Sequence, residues 1–202
     1  MFKSIENTAT AEIVEKKSKF IANIYSVDNK EEIQSLLEES HKKYYDANHN
    51  CYAYILENEE KYSDDGEPTG TSGAPMLSLL KNRNLKNILV VVTRYFGGIL
   101  LGTGGLVRAY TKACKTALEN ADIVYKENGI RYEIEISYSD FGMLQHICEN
   151  SNIEIKKVDY SQDIKVVLDS TKEDKNYLIN NINVKKICIK EEKVVIKLKN
   201  IQ

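Results

Sequence analysis

Apolar and polar residues alternate from Glu12 to Ile24 around the basic turn Lys16-Lys17-Ser18-Lys19, which predicts a strand pair or one long bent strand. Asp28, with Glu31 three residues on, reads as a capping box opening a helix whose apolar face is Ile33, Leu36 and Leu37. Cys51, Ala53 and Ile55 alternate with Tyr52 and Tyr54, which predicts another strand. Ser63 to Pro75 (SDDGEPTGTSGAP) carries turn formers at nearly every position and is expected as a loop, with a short helix over Met76 to Leu80. Asn87 to Thr93 (NILVVVT) has no polar alternation and fits a strand buried on both faces. Gly102-Thr103-Gly104-Gly105 then precedes a helix from Leu106 to Leu118. Its inward face is Leu106, Tyr110, Ala113 and Ala117, while Arg108, Lys112 and Lys115, spaced i, i+4, i+7, share one exposed stripe.

The character changes after Asn128-Gly129, which reads as a turn pair. Arg131 to Tyr138 (RYEIEISY) is an alternating strand, Asp140 to Asn150 a helix, and Ile153 to Tyr160 and Gln162 to Asp169 two strands. Lys172 to Asn183 is a helix and Lys186 to Leu198 is strand-rich. That order is the βαββαβ pattern of a ferredoxin-like domain. The expectation is therefore an α+β chain of two domains, residues 1–129 and 130–202.

Composition narrows the function classes. Twenty-eight basic residues against 30 acidic ones in 202 give a net charge of −2, which excludes a surface that is polycationic throughout. A hydrophobic share of 42% and no long apolar run exclude a disordered chain or a helical membrane protein. The N-terminus shows no signal peptide, and the four cysteines are scattered without a C-x-x-C pair, so a soluble cytoplasmic protein is expected. Averages conceal a local feature. Eight of the ten glycines and both prolines lie between Gly66 and Gly105. From Thr69 to Leu118 there is no acidic residue, while Lys81, Arg83, Lys86, Arg94, Arg108, Lys112 and Lys115 add positive charge. A near-neutral chain with one glycine-rich basic segment points to a local anion site, against the alternative that these charges merely solvate helix and loop surfaces.

The amides that open a helix are unpaired donors at the positive end of its dipole, and glycine lets an anion approach them. Gly102, Gly104 and Gly105 leading into Arg108 make such a cradle, although tight helix packing needs the same glycines. The segment matches neither the phosphate-loop nor the dinucleotide-binding fingerprint. Arg94, beside Tyr95, Phe96, Gly97 and Gly98, can pair with phosphate while a ring stacks on a base, or can form a structural ion pair with Asp64, Asp65 or Glu67. Those three carboxylates can also hold a divalent cation, but their spacing is not that of an EF-hand. His49-x-Cys51 lacks further ligands for zinc. His41 and His146 read as ordinary helix residues. No metal, cofactor or catalytic set is expected.

Ser63-Asp64-Asp65-Gly66-Glu67-Pro68 with Gly70-Thr71, Gly73 and Pro75 closely resembles the signature of the YigZ/IMPACT family. So does Asn87 with Val90-Val91-Val92-Thr93-Arg94-Tyr95-Phe96-Gly97-Gly98, then Leu101-Gly102 and Gly104-Gly105-Leu106-Val107-Arg108-Ala109-Tyr110. Lys16-Lys17-Ser18-Lys19-Phe20 and His49-x-Cys51-x-Ala53 also look like family positions. The resemblance covers residues 1–125. It implies an N-terminal domain with the fold of domain 2 of ribosomal small-subunit protein five, followed by the ferredoxin-like domain of the bacterial members. Eukaryotic relatives regulate translation with an extra N-terminal domain that this chain does not show.

Two functional readings follow. In the first, the protein is a non-enzymatic, translation-associated regulator that binds RNA, the ribosome or a translation-associated protein. Its surface would be Arg94, Tyr95, Arg108, Lys112 and Lys115 with the glycine turns at Gly97, Gly98, Gly102, Gly104 and Gly105. In the second, it is an enzyme on a small phosphorylated or carboxylated substrate, with Asp64, Asp65 and Glu67 as its reactive groups. No membrane partner is expected, and no oligomeric state is assigned.

Overall fold

The computed structural model describes residues 1–199. The chain divides into two compact units between Val124 and Tyr125. The expected division near Gly129 falls inside a strand, and the last residues of the domain expected over 130–202 lie outside those described.

In the first unit, β1 (Phe2–Ile5) leads into a hairpin of β2 (Ala9–Glu15) and β3 (Ser18–Ser26). Glu15 faces Ser18 across it, so Lys16 and Lys17 alone make the turn. Both hold left-handed backbone, with φ of 46° and 67°, as the tight primed turn between twisted antiparallel strands requires. Helix α1 (Lys30–Lys43) and strands β4 (His49–Ile55) and β5 (Glu60–Ser63) follow. Then come α2 (Gly73–Asn82), β6 (Ile88–Tyr95) and α3 (Thr103–Glu119). The sheet runs β2-β3-β6-β4-β5, every neighbouring pair antiparallel.

The central strand β6 explains its own apolar run. Ile88, Val90 and Val92 point to the core shared with Met76 and Leu80 of α2 and Leu106, Tyr110 and Ala113 of α3. Leu89 and Val91 point the other way, onto Ile33 of α1 with Val27 and Tyr54. A strand covered by helices on both faces has no polar side to alternate with.

Several boundaries differ from expectation, each for a local reason. The α1 cap is Asn29, not Asp28: its side chain accepts from the Glu32 amide at 2.8 Å, and Glu32 reaches back to the Asp28 amide at 2.8 Å. Helix α2 starts at Gly73, three residues before Met76, because the Asp64 carboxylate caps its first turn from outside. Pro75 sits in that turn, where a missing N–H costs nothing. Helix α3 takes in Thr103, Gly104 and Gly105, which were expected to precede it.

The second unit contains β7 (Ile123–Ile136), which begins just before the unit boundary, then α4 (Tyr138–Glu149) and β8 (Ile153–Tyr160). It continues with β9 (Ile164–Ser170), α5 (Lys172–Asn181) and β10 (Lys186–Lys197). Its strands are ordered β10-β7-β9-β8, the ferredoxin-like arrangement. Asn128-Gly129 is not a turn but part of β7, opposite Val195 and Val194. The glycine is required by close packing instead: a Cβ there would lie 2.3 Å from the Ser170 carbonyl oxygen. His41 and His146 lie within α1 and α4.

Candidate functional site

The acidic loop is held by its own carboxylates. Asp64 Oδ1 accepts from the Ser72 hydroxyl at 2.7 Å, the Gly73 amide at 2.8 Å and the Ser72 amide at 3.1 Å. Its Oδ2 accepts from the Gly70 amide at 2.8 Å. Burial pushes this carboxyl up, but hydrogen bonds from Ser72, Gly70 and Gly73 outweigh that and hold it below its ordinary value. Asp65, with φ of 43°, accepts from the Asn50 amide at 2.5 Å. Thr71 closes the turn by donating to the Pro68 carbonyl at 2.6 Å. Positive φ at Gly66 and Gly70 lets the loop curl over the ends of β4 and β5. Gly73 has no room for a Cβ, which would lie 2.8 Å from the Ser63 carbonyl oxygen.

Glu67 enters the protein. Its Oε1 receives Arg94 Nη1 at 2.6 Å and the Tyr110 hydroxyl at 2.9 Å, with His49 Nε2 at 3.9 Å. Arg94 is only 5% exposed, lying 5.5 Å from the ring centroids of both Phe20 and Phe96. Its Nη2 reaches Ser18 Oγ at 3.4 Å, and Ser18 Oγ also accepts from the Gly97 amide at 3.2 Å. Arg94 was expected as a surface cation; the structure makes it the buried partner of Glu67, the structural alternative the sequence had left open. Gly97 belongs to the same lock, because a Cβ on it would lie 2.0 Å from the Lys17 carbonyl carbon.

Cys51 completes this interior, donating to the Asp64 carbonyl at 3.0 Å and lying 3.4 Å from the Tyr110 hydroxyl. Burial pushes its thiol up to about 12, so it stays protonated at neutral pH. His49 Nδ1 is 2.7 Å from the Asp65 carbonyl oxygen. Among the described residues, no group of three or more His, Cys, Asp or Glu is placed to hold a metal ion.

The basic stripe divides. Arg108 and Lys112 are exposed and have no acidic partner among the described residues, whereas Lys115 lies 3.8 Å from Glu119. Tyr95 donates to Asp46 at 2.9 Å. The hairpin brings in a residue the sequence had not placed beside the stripe: Lys16, with Glu15, lines a groove of about 210 Å³ that Arg108, Lys112 and Leu101 complete. Only long-range pairing puts the β2–β3 turn there. The cap of α3 is Gly102, with φ of 71°, so no side chain closes the first turn. Arg108 folds back over it, with Nη1 3.5 Å from where a Cβ on Gly104 would stand.

A second concavity, about 490 Å³, opens between the acidic loop and α3. Glu67, Arg94, Phe96, Leu100, Leu101 and Thr103 are among its walls. Leu100 had no assigned part in the sequence reading; the signal was its apolar neighbourhood, Ile99-Leu100-Leu101, between two glycine turns. No described helix is long and apolar enough to cross a membrane.

The model of the Impact N-terminal domain matches residues 16–118, and a domain of unknown function (DUF1949) matches residues 134–183. The chain is 38% identical over 165 residues to the IMPACT family member YvyE of Bacillus subtilis, covering 80% of this chain and 76% of that protein. The Protein IMPACT homolog of Dictyostelium discoideum is 46% identical over 97 residues, 45% of this chain but 28% of that one. A crystal structure described as that of an hypothetical protein superposes with a TM-score of 0.64 at 28% identity, covering 95% of this chain and 98% of the other. With the buried Glu67–Arg94 lock built from both signature segments, these matches settle the lineage: the chain belongs to the IMPACT family.

Proposed function

We propose that the protein is a non-enzymatic, translation-associated regulator that binds RNA or the ribosome. One observation carries the reading: Lys16, Arg108 and Lys112 are exposed, without acidic partners among the described residues, around the uncapped first turn of α3. Cations and free amides grouped on rigid elements attract phosphate, and released counterions drive such binding. The family's eukaryotic members, which regulate translation, support the choice of partner. Asp64, Asp65 and Glu67 hold the loop, the α2 cap and Arg94, and this favours a binding role over one for these carboxylates in turnover.

The test is co-sedimentation with ribosomes at low and moderate salt. Wild type is expected to pellet at low salt and to be released as salt rises. The variant Arg108→Glu/Lys112→Glu, folded because both side chains are exposed, is expected to stay in solution. Wild type remaining in the supernatant at low salt would overturn the reading.

A further inference from the structure

We propose that the cleft beside Glu67 takes one unpaired nucleobase, whose adjoining phosphate rests on the first turn of α3 and Arg108. This deepens the reading of the basic surface as a nucleic-acid interface and rests on it. The mouth of the cleft is apolar and open: Phe96 is 45% and Leu100 82% exposed. One side of the Phe96 ring faces the Arg94 guanidinium. That contact fixes the ring's position and leaves its exposed part to stack against a flat partner.

The inner end is polar and only half satisfied. Among the described residues every side-chain hydrogen bond and ion pair of Glu67 goes to Oε1, and Oε2, which is not among the buried unpaired atoms, stays available as an acceptor. Arg94, more than nine-tenths buried and one of the residues lining the same cleft, has an Nε that is itself buried without an acceptor, so a ligand reaches it only by a small shift of the side chain. An acceptor and a donor beside an apolar mouth match the edge of a base. An aliphatic ligand would leave both unmet, and an anionic group driven into the cleft would meet the Glu67 carboxylate.

The phosphate has its own place next door. Leu101 walls both the cleft and the groove lined by Lys16, Arg108 and Lys112. Gly102 and Thr103 border the former, and Gly105 and Arg108 the latter, so the first turns of α3 run along both. A nucleotide with its base in one therefore carries its phosphate to the other.

The test compares a short single-stranded RNA, an abasic oligonucleotide of equal length and nucleoside monophosphates, titrated onto wild type, Phe96→Ala and Leu100→Ala. Melting temperatures are checked for each variant. The RNA is expected to bind wild type more tightly than the abasic strand. Phe96→Ala should weaken RNA binding roughly ten- to a hundredfold and Leu100→Ala less, with abasic affinity and salt slope unchanged. Equal binding of RNA and abasic strand, or a ratio indifferent to Phe96→Ala, removes the base site while the phosphate surface stands. If neither polymer binds but nucleoside monophosphates do, and lose affinity in Phe96→Ala, the cleft serves a free nucleotide and the ribosome reading alone falls. If nothing binds, both fall.

Discussion

Both units place an arginine opposite a carboxylate across neighbouring elements, and in each the sheet decides what that pair does. In the second unit Tyr132, Ile134 and Ile136 of β7 are buried, while Arg131, Glu133 and Glu135 face outward on the other side. There Arg131 grips Asp169 through Nε and Nη2, both at 2.7 Å, with Glu191 at 3.4 Å and Lys156 close by. In the first unit the sheet is covered on both faces, and Arg94 and Glu67 meet with side chains 6% and 3% exposed. Arg131 is partly exposed and its buried partner Asp169 also has Lys156 at 3.8 Å, whereas Glu67 has, besides Arg94, only the longer 3.9 Å approach of His49 as a basic partner among the described residues. A buried pair need not add net stability, yet losing one member strands the other.

The largest expected effect is steric and local to one unit. Gly97→Ala should lower the stability of the first unit by more than about 4 kcal/mol, because its new Cβ collides with the Lys17 backbone. Gly129→Ala should do the same to the second unit alone. Calorimetry that resolves two transitions checks both, and a shift in the wrong transition would break the picture of separate cores.

Next comes the contrast between the ion pairs. Arg94→Met should cost about 3–5 kcal/mol by leaving Glu67 buried and unpaired. Arg131→Met should cost less, about 1–3 kcal/mol, because Asp169, though buried, keeps Lys156 at 3.8 Å. Equal losses in denaturant titrations would mean that enclosure is not what separates them.

Acid sharpens the same contrast more gently. The Asp64 carboxyl is held below its unfolded value, so its contribution is present above that value, about 3.9, and is lost as pH falls through it towards the lower folded one. The first unit should therefore lose stability on acidification in that window, and Asp64→Asn should flatten the dependence. Thermal melts across the pH range measure it.

The smallest perturbation is chemical. Burial raises the Cys51 and Cys114 thiols to about 12 and Cys148 to about 11, whereas Cys188 is exposed. Iodoacetamide at mildly alkaline pH should label Cys188 alone in the folded protein and all four thiols in denaturant, as peptide mass mapping would show.

The two units also differed in how far their sequences could be read. The alternation in RYEIEI marks a sheet with one wet face, and the βαββαβ order followed without help. In NILVVVT both faces are dry, so the pattern predicts a buried strand but not its neighbours. The strand β5 escaped notice because Glu60-Lys61-Tyr62-Ser63 is short and mostly exposed; its pairing with β4 makes it a strand. At the site, Arg108 and Lys112 were legible because helical spacing is local. The buried place of Arg94 was legible only as one of two alternatives, since Glu67, Ser18 and Phe20 reach it through tertiary packing. The same holds for the slot at Phe96 and Leu100, whose walls come from segments far apart in the chain.

The two-lysine turn between β2 and β3 has a consequence for how this molecule would respond to selection or redesign. Left-handed backbone is costly for a lysine and nearly free for a glycine, so Lys16→Gly/Lys17→Gly should leave the protein as stable or more so, by about 0–1 kcal/mol. It would also erase the Lys16 charge from the groove beside Arg108 and Lys112. Under the proposed binding role, a screen that rewards only thermal robustness would drift towards glycine there and weaken binding, whereas one that rewards binding would keep a tense loop. On that reading the hairpin is a place where durability and binding pull the sequence in opposite directions.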